Sequence, residues 1–264
     1  MDTQQILWYT KAAQDFDHAL PVGNGRLGGM IFGDARKDVI KLNEDSLYSG
    51  GMRNRLNPRA YEGFQEIRAL LAAENIREAQ EIAFRKMQGV TPNARHYMPL
   101  GELTMCFRFR GKPREYRRSL DLRTAVAAVQ FHDDAGVDYC RNVWVSHPAQ
   151  LLCIHLTSSK AGQLSFTAAL DGRDDYYDDN RPVDGQTILY TGGTGSRDGI
   201  FFAAGMTILT KGGTVEAVGS TLEVEKADEA LLLLSAESSF YHGDAHRELA
   251  LARLRDAVQD GTDA

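Results

Sequence analysis

The sequence predicts a mainly β protein: a large antiparallel β-sandwich with a helical hairpin inserted and a linker helix at its C-terminal end. Three observations carry that reading. Eleven short runs of β-type residues recur at roughly 8 to 15 residue spacing. Gly, Asp and Asn punctuate them, as turns require. Apolar periodicity switches to three or four residues only in two stretches. Eleven strands are more than one ordinary sheet holds, so two packed sheets are expected.

In chain order, the first runs are 29–32 and 38–42. Just before them, Gly23-Asn24-Gly25-Arg26-Leu27-Gly28 matches the GxGxxG pattern of dinucleotide sites. That chemistry needs a strand before the glycines and a helix after, so that the helix N-terminus meets the pyrophosphate. Here Pro21 precedes and the strand-like Gly29-Met30-Ile31-Phe32 follows, so the motif is read as a tight turn.

The helical insertion comes next. With Asn57 as N-cap and Pro58 at the first helical position, Tyr61, Phe64, Ile67 and Leu71 form one apolar stripe, expected to pack on a sheet. A second helix starts at Asn75 with Glu78 as capping partner and is expected to bury Ile76, Ala79, Ala83 and Met87. The strand pattern resumes at 102–109, 125–131, 137–146, 151–157, 164–170, 187–190, 201–209, 222–224 and 230–235. Asp134-Ala135-Gly136 and Lys211-Gly212-Gly213 read as hairpin turns between antiparallel neighbours, and the polar stretch 171–185 as a long loop. The last helical pattern, 245–258, carries Leu249, Leu251, Leu254 and Val258.

Composition excludes several functions. The 264 residues carry 30 Lys and Arg against 36 Asp and Glu, a net charge of −6, with the basic residues scattered, which argues against nucleic acid. No apolar run approaches the roughly 20 residues that cross a bilayer. The N-terminus has no signal-peptide pattern, which reads as a cytoplasmic protein. Cys106, Cys140 and Cys153 lie in apolar runs without a CxxC and read as buried free thiols.

Chemical motifs are sparse. His242 and His246 are four apart, as in a helical zinc pair, but Gly243 and Asp244 between them favour a helix start, so no metal is assigned. The acidic run 174–180 fits no EF-hand spacing and reads as a solvated loop. Serine and cysteine nucleophile motifs are missing, and no cofactor is indicated. The richest stretch is 42–53, where Asn43, Glu44, Asp45, Tyr48 and Arg53 gather an amide, two acids, a phenol and a guanidinium at a strand end. Such a set suits sugar hydroxyls, with Tyr48 free to stack on a pyranose, and equally suits a loop that bonds its own backbone.

Read together, LWYTKAAQDFDHALPVGNGRLGGMIFG, IKLNEDSLYSGGMRNRLNP, YMPLGEL, YRRSLDLRTAVAAVQF, SHPAQLL and ADEALLLLSAESSF resemble the N-terminal region of glycoside hydrolase family 95, the α-L-fucosidase family, from about residue 7 to residue 242. Departures are Phe16 and Tyr48, where that family usually has Trp, and His18, where it has Glu. The resemblance implies a β-sandwich domain over 1–242 and, over 243–264, a linker helix leading to an (α/α)6 barrel. That barrel carries the inverting chemistry, in which one carboxylic acid protonates the leaving oxygen and a base activates water. No residue here matches the catalytic groups, so none is assigned. The implied partners are the barrel of the same parent enzyme and fucosylated or galactosylated glycans. The five residues at 43–53 become candidates for the substrate rim or the interface, and an exposed apolar flank is expected where a barrel docks. The alternative is an independent carbohydrate-binding or structural sandwich.

Overall fold

The computed structural model describes residues 5–51, 54–90, 95–172, 179–195 and 197–259. They fall into two compact units. The larger draws on Met1–Leu47, Met98–Thr194 and Ile200–Ala264, and the smaller on Tyr48–Tyr97 and Gly195–Gly199.

The larger unit is the sandwich. One sheet has nine strands, in spatial order β1 (Ile6–Tyr9), β6 (Arg114–Asp121), β7 (Val126–His132), β8 (Asp138–Ser146), β9 (Leu151–Ser158), β16 (Glu229–Ser238), β13 (Phe201–Lys211), β12 (Thr187–Gly193) and β11 (Asp179–Pro182). The other has seven: β14 (Thr214–Val218), β15 (Thr221–Ala227), β10 (Leu164–Asp171), β5 (Gly101–Phe107), β4 (Lys37–Glu44), β3 (Leu27–Ile31) and β2 (Leu20–Gly23). Every pairing is antiparallel.

All eleven sequence-predicted strands are present. The five that patterning missed are β1, β2, β6, β11 and β14, and four of these are the edges of the two sheets. An edge strand is short and partly solvated, so it lacks the apolar alternation that reveals a central one. β6 is masked by its arginines: Arg118 is buried beside Leu120 on the inward face. A second correction concerns Lys211-Gly212-Gly213. The turn does not close a hairpin, because β13 and β14 lie in different sheets, so it is a corner between layers. Gly213 is obligatory there, with φ +63° and no room for a Cβ beside the Glu225 carbonyl. The polar stretch 171–185 is likewise not all loop, since it contains the edge strand β11; residues 173–178 lie outside the described residues.

The core forms where the two sheets meet. Ile40, Leu103, Met105 and Phe166 from the smaller sheet pack with Leu152, Ile154, Met206, Leu232 and Leu234 from the larger. The run Leu231–Leu234 is apolar at consecutive positions because both faces of β16 are covered. Leu232 and Leu234 face the main core, and Leu233 faces a second cluster with Leu151, Cys153 and Leu254.

That second cluster lies under α4 (His246–Gln259), close to the predicted span 245–258. The helix rests on the outer face of the nine-stranded sheet, in the same compact unit. Its docking depends on small residues. A Cβ on Gly205 would come within 2.7 Å of Leu254 Cδ1, and Ser235 Oγ donates to the Ala250 carbonyl at 2.6 Å. α4 follows a short helix, α3 (Ser239–His242), and a 3₁₀ turn at Gly243–Ala245.

The smaller unit is the helical hairpin, α1 (Ala60–Ala72) and α2 (Ile76–Ile82), continued by a π turn at Ala83–Met87. Asn57 does not cap α1 as predicted. Its Oδ1 accepts from the Arg59 amide at 3.0 Å, and its Nδ2 donates to the Lys86 and Gln88 carbonyls, each at 2.9 Å, tying the hairpin shut. Asn75 bonds Glu78 side chain to side chain at 2.7 Å rather than capping the backbone. Of the apolar residues assigned to burial, Ala79 is buried, but Tyr61 is 75%, Ile76 60% and Leu71 51% exposed. The helices meet instead through small groups: Gly63 and Ala79 are buried, and a Cβ on Gly63 would lie 2.5 Å from Lys86 Cβ. Of the cysteines, Cys153 is buried as expected but Cys106 is exposed.

Truncating Leu254 to Ala should cost about 2–4 kcal/mol, because it removes a buried apolar side chain and leaves a cavity over Gly205. Urea denaturation of the variant measures this, and a loss below about 1 kcal/mol would show that α4 is only loosely attached.

Candidate functional site

The GxGxxG segment folds as the turn between β2 and β3. Asn24 Oδ1 accepts from the amides of Arg26 at 3.0 Å and Leu27 at 2.9 Å, while Gly25 takes φ +98°. Asn24 Nδ2 also donates to the Ser146 carbonyl at 3.2 Å, fixing the turn against the end of β8. The glycines therefore serve a tight turn, and what the turn presents is Arg26.

The Arg26 guanidinium spans both sheets. Nε donates to Gln150 Oε1 at 2.8 Å and Nη1 to the Ala236 carbonyl at 2.6 Å. The same Nη1 lies 3.5 Å from Glu44 Oε1, and Nη2 lies 3.3 Å from Glu237 Oε1. Both carboxylates are fully buried. Glu44 Oε2 accepts from the Ser46 amide at 3.0 Å and from Ser46 Oγ at 2.6 Å, and Ser46 Oγ in turn lies 2.5 Å from Ser238 Oγ. Glu237 Oε1 also accepts from Arg253 Nε on α4, and His242 Nε2 lies 3.0 Å from its Oε2. At the rim of the network, Tyr241 donates its hydroxyl to Asp45 Oδ2 at 3.0 Å.

The electrostatics follow from burial. Desolvation raises the Glu44 pKa above the usual carboxylate range, against the lowering effect of the Ser46 hydrogen bonds and Arg26. The bond to Asp45 raises the Tyr241 phenol, since it favours the protonated form. A glycosidase acid and base must flank an open cleft with room for a sugar and a water. Glu44 and Glu237 are instead enclosed and engaged with arginines, so the cluster is a clamp joining the two sheets and α4.

The residues singled out at 43–53 are dispersed. Asn43 is half-buried in β4 in register with Gly28, Glu44 is turned inward, and Asp45 sits at the rim with Tyr241. Tyr48 belongs to the smaller unit, half exposed, with its ring edge-on to Tyr97 at 5.0 Å. Arg53 lies outside the described residues. Sequence reasoning missed Arg26, Glu237 and Arg253 as site residues and weighed His242 only as half of a zinc pair; Arg26 and Glu237 meet across 211 residues of chain. The one available signal was Glu237, a charged residue among the apolar and small residues of 230–238. Among the described residues no three His, Cys, Asp or Glu side chains converge as metal ligands, and the His246 Nδ1 is bonded to the Gly243 carbonyl at 2.7 Å.

Residues 7–243 match the family model described as "Glycosyl hydrolase family 65, N-terminal domain". The chain is 31% identical over 269 residues to Alpha-L-fucosidase 2 of Arabidopsis thaliana, covering 91% of this chain and 31% of that protein. It is 28% identical over 237 residues to "Probable alpha-fucosidase A" of Aspergillus niger, covering 84% of this chain and 28% of that protein. Among solved structures, "Putative kojibiose phosphorylase from human microbiome" aligns with a TM-score of 0.52 at 12% identity, over 97% of this chain and 36% of that one, a likeness of fold. The chain thus spans about a third or less of the curated relatives' length.

Arg26→Met takes the guanidinium from buried Glu44 and one of the cations from Glu237, and should cost about 3–5 kcal/mol in urea denaturation. Glu44→Gln tests the electrostatics. An acid whose native pKa is raised contributes stability that is present below its unfolded pKa and lost as pH rises through the native one. Between about pH 4 and pH 7 the wild type should therefore lose stability relative to Glu44→Gln, and a difference that is flat with pH would show a carboxylate fully compensated by its partners.

Proposed function

The chain belongs to the glycosyl hydrolase family 65 N-terminal domain family, and from that premise we propose that it is the non-catalytic N-terminal sandwich of an inverting α-L-fucosidase-like glycosidase of family 95. In this reading the acid and the water-activating groups stand on an (α/α)6 barrel that follows in the full-length enzyme. The sandwich braces that barrel, and the Asp45–Tyr241 end lies toward the rim of the sugar pocket. L-Fucose or L-galactose is the sugar released.

The observation that carries the proposal is the alignment with Alpha-L-fucosidase 2, which runs over 91% of this chain yet occupies only 31% of that protein. Two structural features support it. The buried acids Asp38, Glu44 and Glu237 are each committed to internal partners, which suits a scaffold better than a catalyst. The smaller unit leaves Leu56, Tyr61 and Phe84 exposed, which suits a surface that meets another domain.

Reading the gene beyond codon 264 should reveal an open frame for several hundred mainly helical residues. The extended polypeptide is expected to release L-fucose or L-galactose from fucosylated or galactosylated oligosaccharides, with residues 1–264 alone inactive. A stop codon at 265, or turnover by the purified short chain, would overturn the assignment.

A further inference from the structure

A cleft opens at one end of the nine-stranded sheet, lined by none of the five residues singled out at 43–53. It is an open depression of ≈ 530 Å³, within the volume range of small-molecule sites. β12 ends there in Gly192 and Gly193, with Gly193 paired in register to Phe201 at the start of β13. The Phe201 ring lies over this glycine: a Cβ on Gly193 would come within 3.2 Å of its Cδ1. Phe201 is nonetheless 49% exposed. Its amide donates to Ser239 Oγ at 2.9 Å, so the ring is carried on a fixed piece of backbone.

Hydrogen-bonding groups surround that aromatic face. Arg247, in the first turn of α4, donates from Nη2 to Thr191 Oγ1 at 3.1 Å, which holds its guanidinium at the cleft wall. Asp179 and Asp244 line the same space and are exposed. His246, also lining it, is only 8% exposed. Its Nδ1 lies 2.7 Å from the Gly243 carbonyl and donates to it.

We propose that this cleft binds a single neutral pyranose, with its apolar face on Phe201 and its hydroxyls on Asp179, Asp244 and Arg247. The donor and acceptor inventory decides the class. Two carboxylates against one guanidinium repel an anion such as sulfate or a uronic acid. A divalent cation lacks a ligand set, because no three acidic, His or Cys side chains converge among the described residues. A purely apolar ligand would leave the charged rim unpaired. A sugar satisfies all three constraints, offering a C–H face to the ring and hydroxyls that both donate and accept. The site requires no barrel, so it is independent of the supporting role proposed above.

Saturation-transfer NMR and titration of the 264-residue chain with methyl α-L-fucopyranoside and methyl β-D-galactopyranoside test this. At least one glycoside should saturate with a dissociation constant in the millimolar range, as expected for one sugar ring on one aromatic. Phe201→Ala and Arg247→Ala should each weaken binding by about tenfold or more while retaining the wild-type circular dichroism, and Tyr48→Ala should leave it unchanged. Absence of saturation below about 50 mM, unchanged affinity in Phe201→Ala, or displacement by sodium sulfate would each overturn the proposal.

Discussion

The structure depends on buried carboxylate–arginine pairs that pin β4 at both ends. The inward face of this strand reads Asp38, Ile40, Leu42, Glu44, two acids enclosing two core aliphatics, and all four are buried. Asp38 is held by Arg141 of β8 and by the Gly33 amide at 2.6 Å, and Glu44 by Ser46 and Arg26. Burial raises the pKa of both acids, so their charges cost folding energy even when paired. What they contribute is uniqueness. A slip of one residue would move both acids to the opposite face, away from Arg26 and Arg141.

The same logic extends to α4. Its apolar contacts, Leu254 over Gly205 and the Leu233 cluster, supply the burial. Its polar contacts, Arg253 to Glu237 and Arg247 to Thr191, set its position along the sheet. The helix that looks in sequence like a connector is thus part of the sandwich and couples the Arg26 network at one point to the cleft beside Phe201 at another.

The hairpin stands in contrast. Within the smaller unit, Gly63 and Ala79 are the buried residues of its helices, and the larger apolar side chains face outward. Some fifty residues with so little interior cannot account for their own stability, and hydrogen bonds from Asn57 and ion pairs from Lys86 to Glu62 and Glu66 hold the helices together. The stripe of Tyr61, Phe64 and Leu71 has the periodicity of a buried face. Periodicity reports that a face is apolar and says nothing of what covers it.

The sandwich class, all eleven central runs and the turn at Gly25 were legible in the sequence, because alternation and turn chemistry act between residues a few positions apart. Edge strands were not, since they bury too little to leave a pattern. Nor was the corner at Gly212-Gly213, where the same glycines serve a hairpin or a change of sheet equally well. The candidate site divided along the same line. Residues 43–48 were conspicuous as a local cluster, yet tertiary structure alone turned Glu44 inward, carried Tyr48 into another unit and brought Arg26 to Glu237. Local physics determines which segments become strands. The partners of a buried charge are settled only when distant strands close on one another and remove the water that would otherwise solvate it.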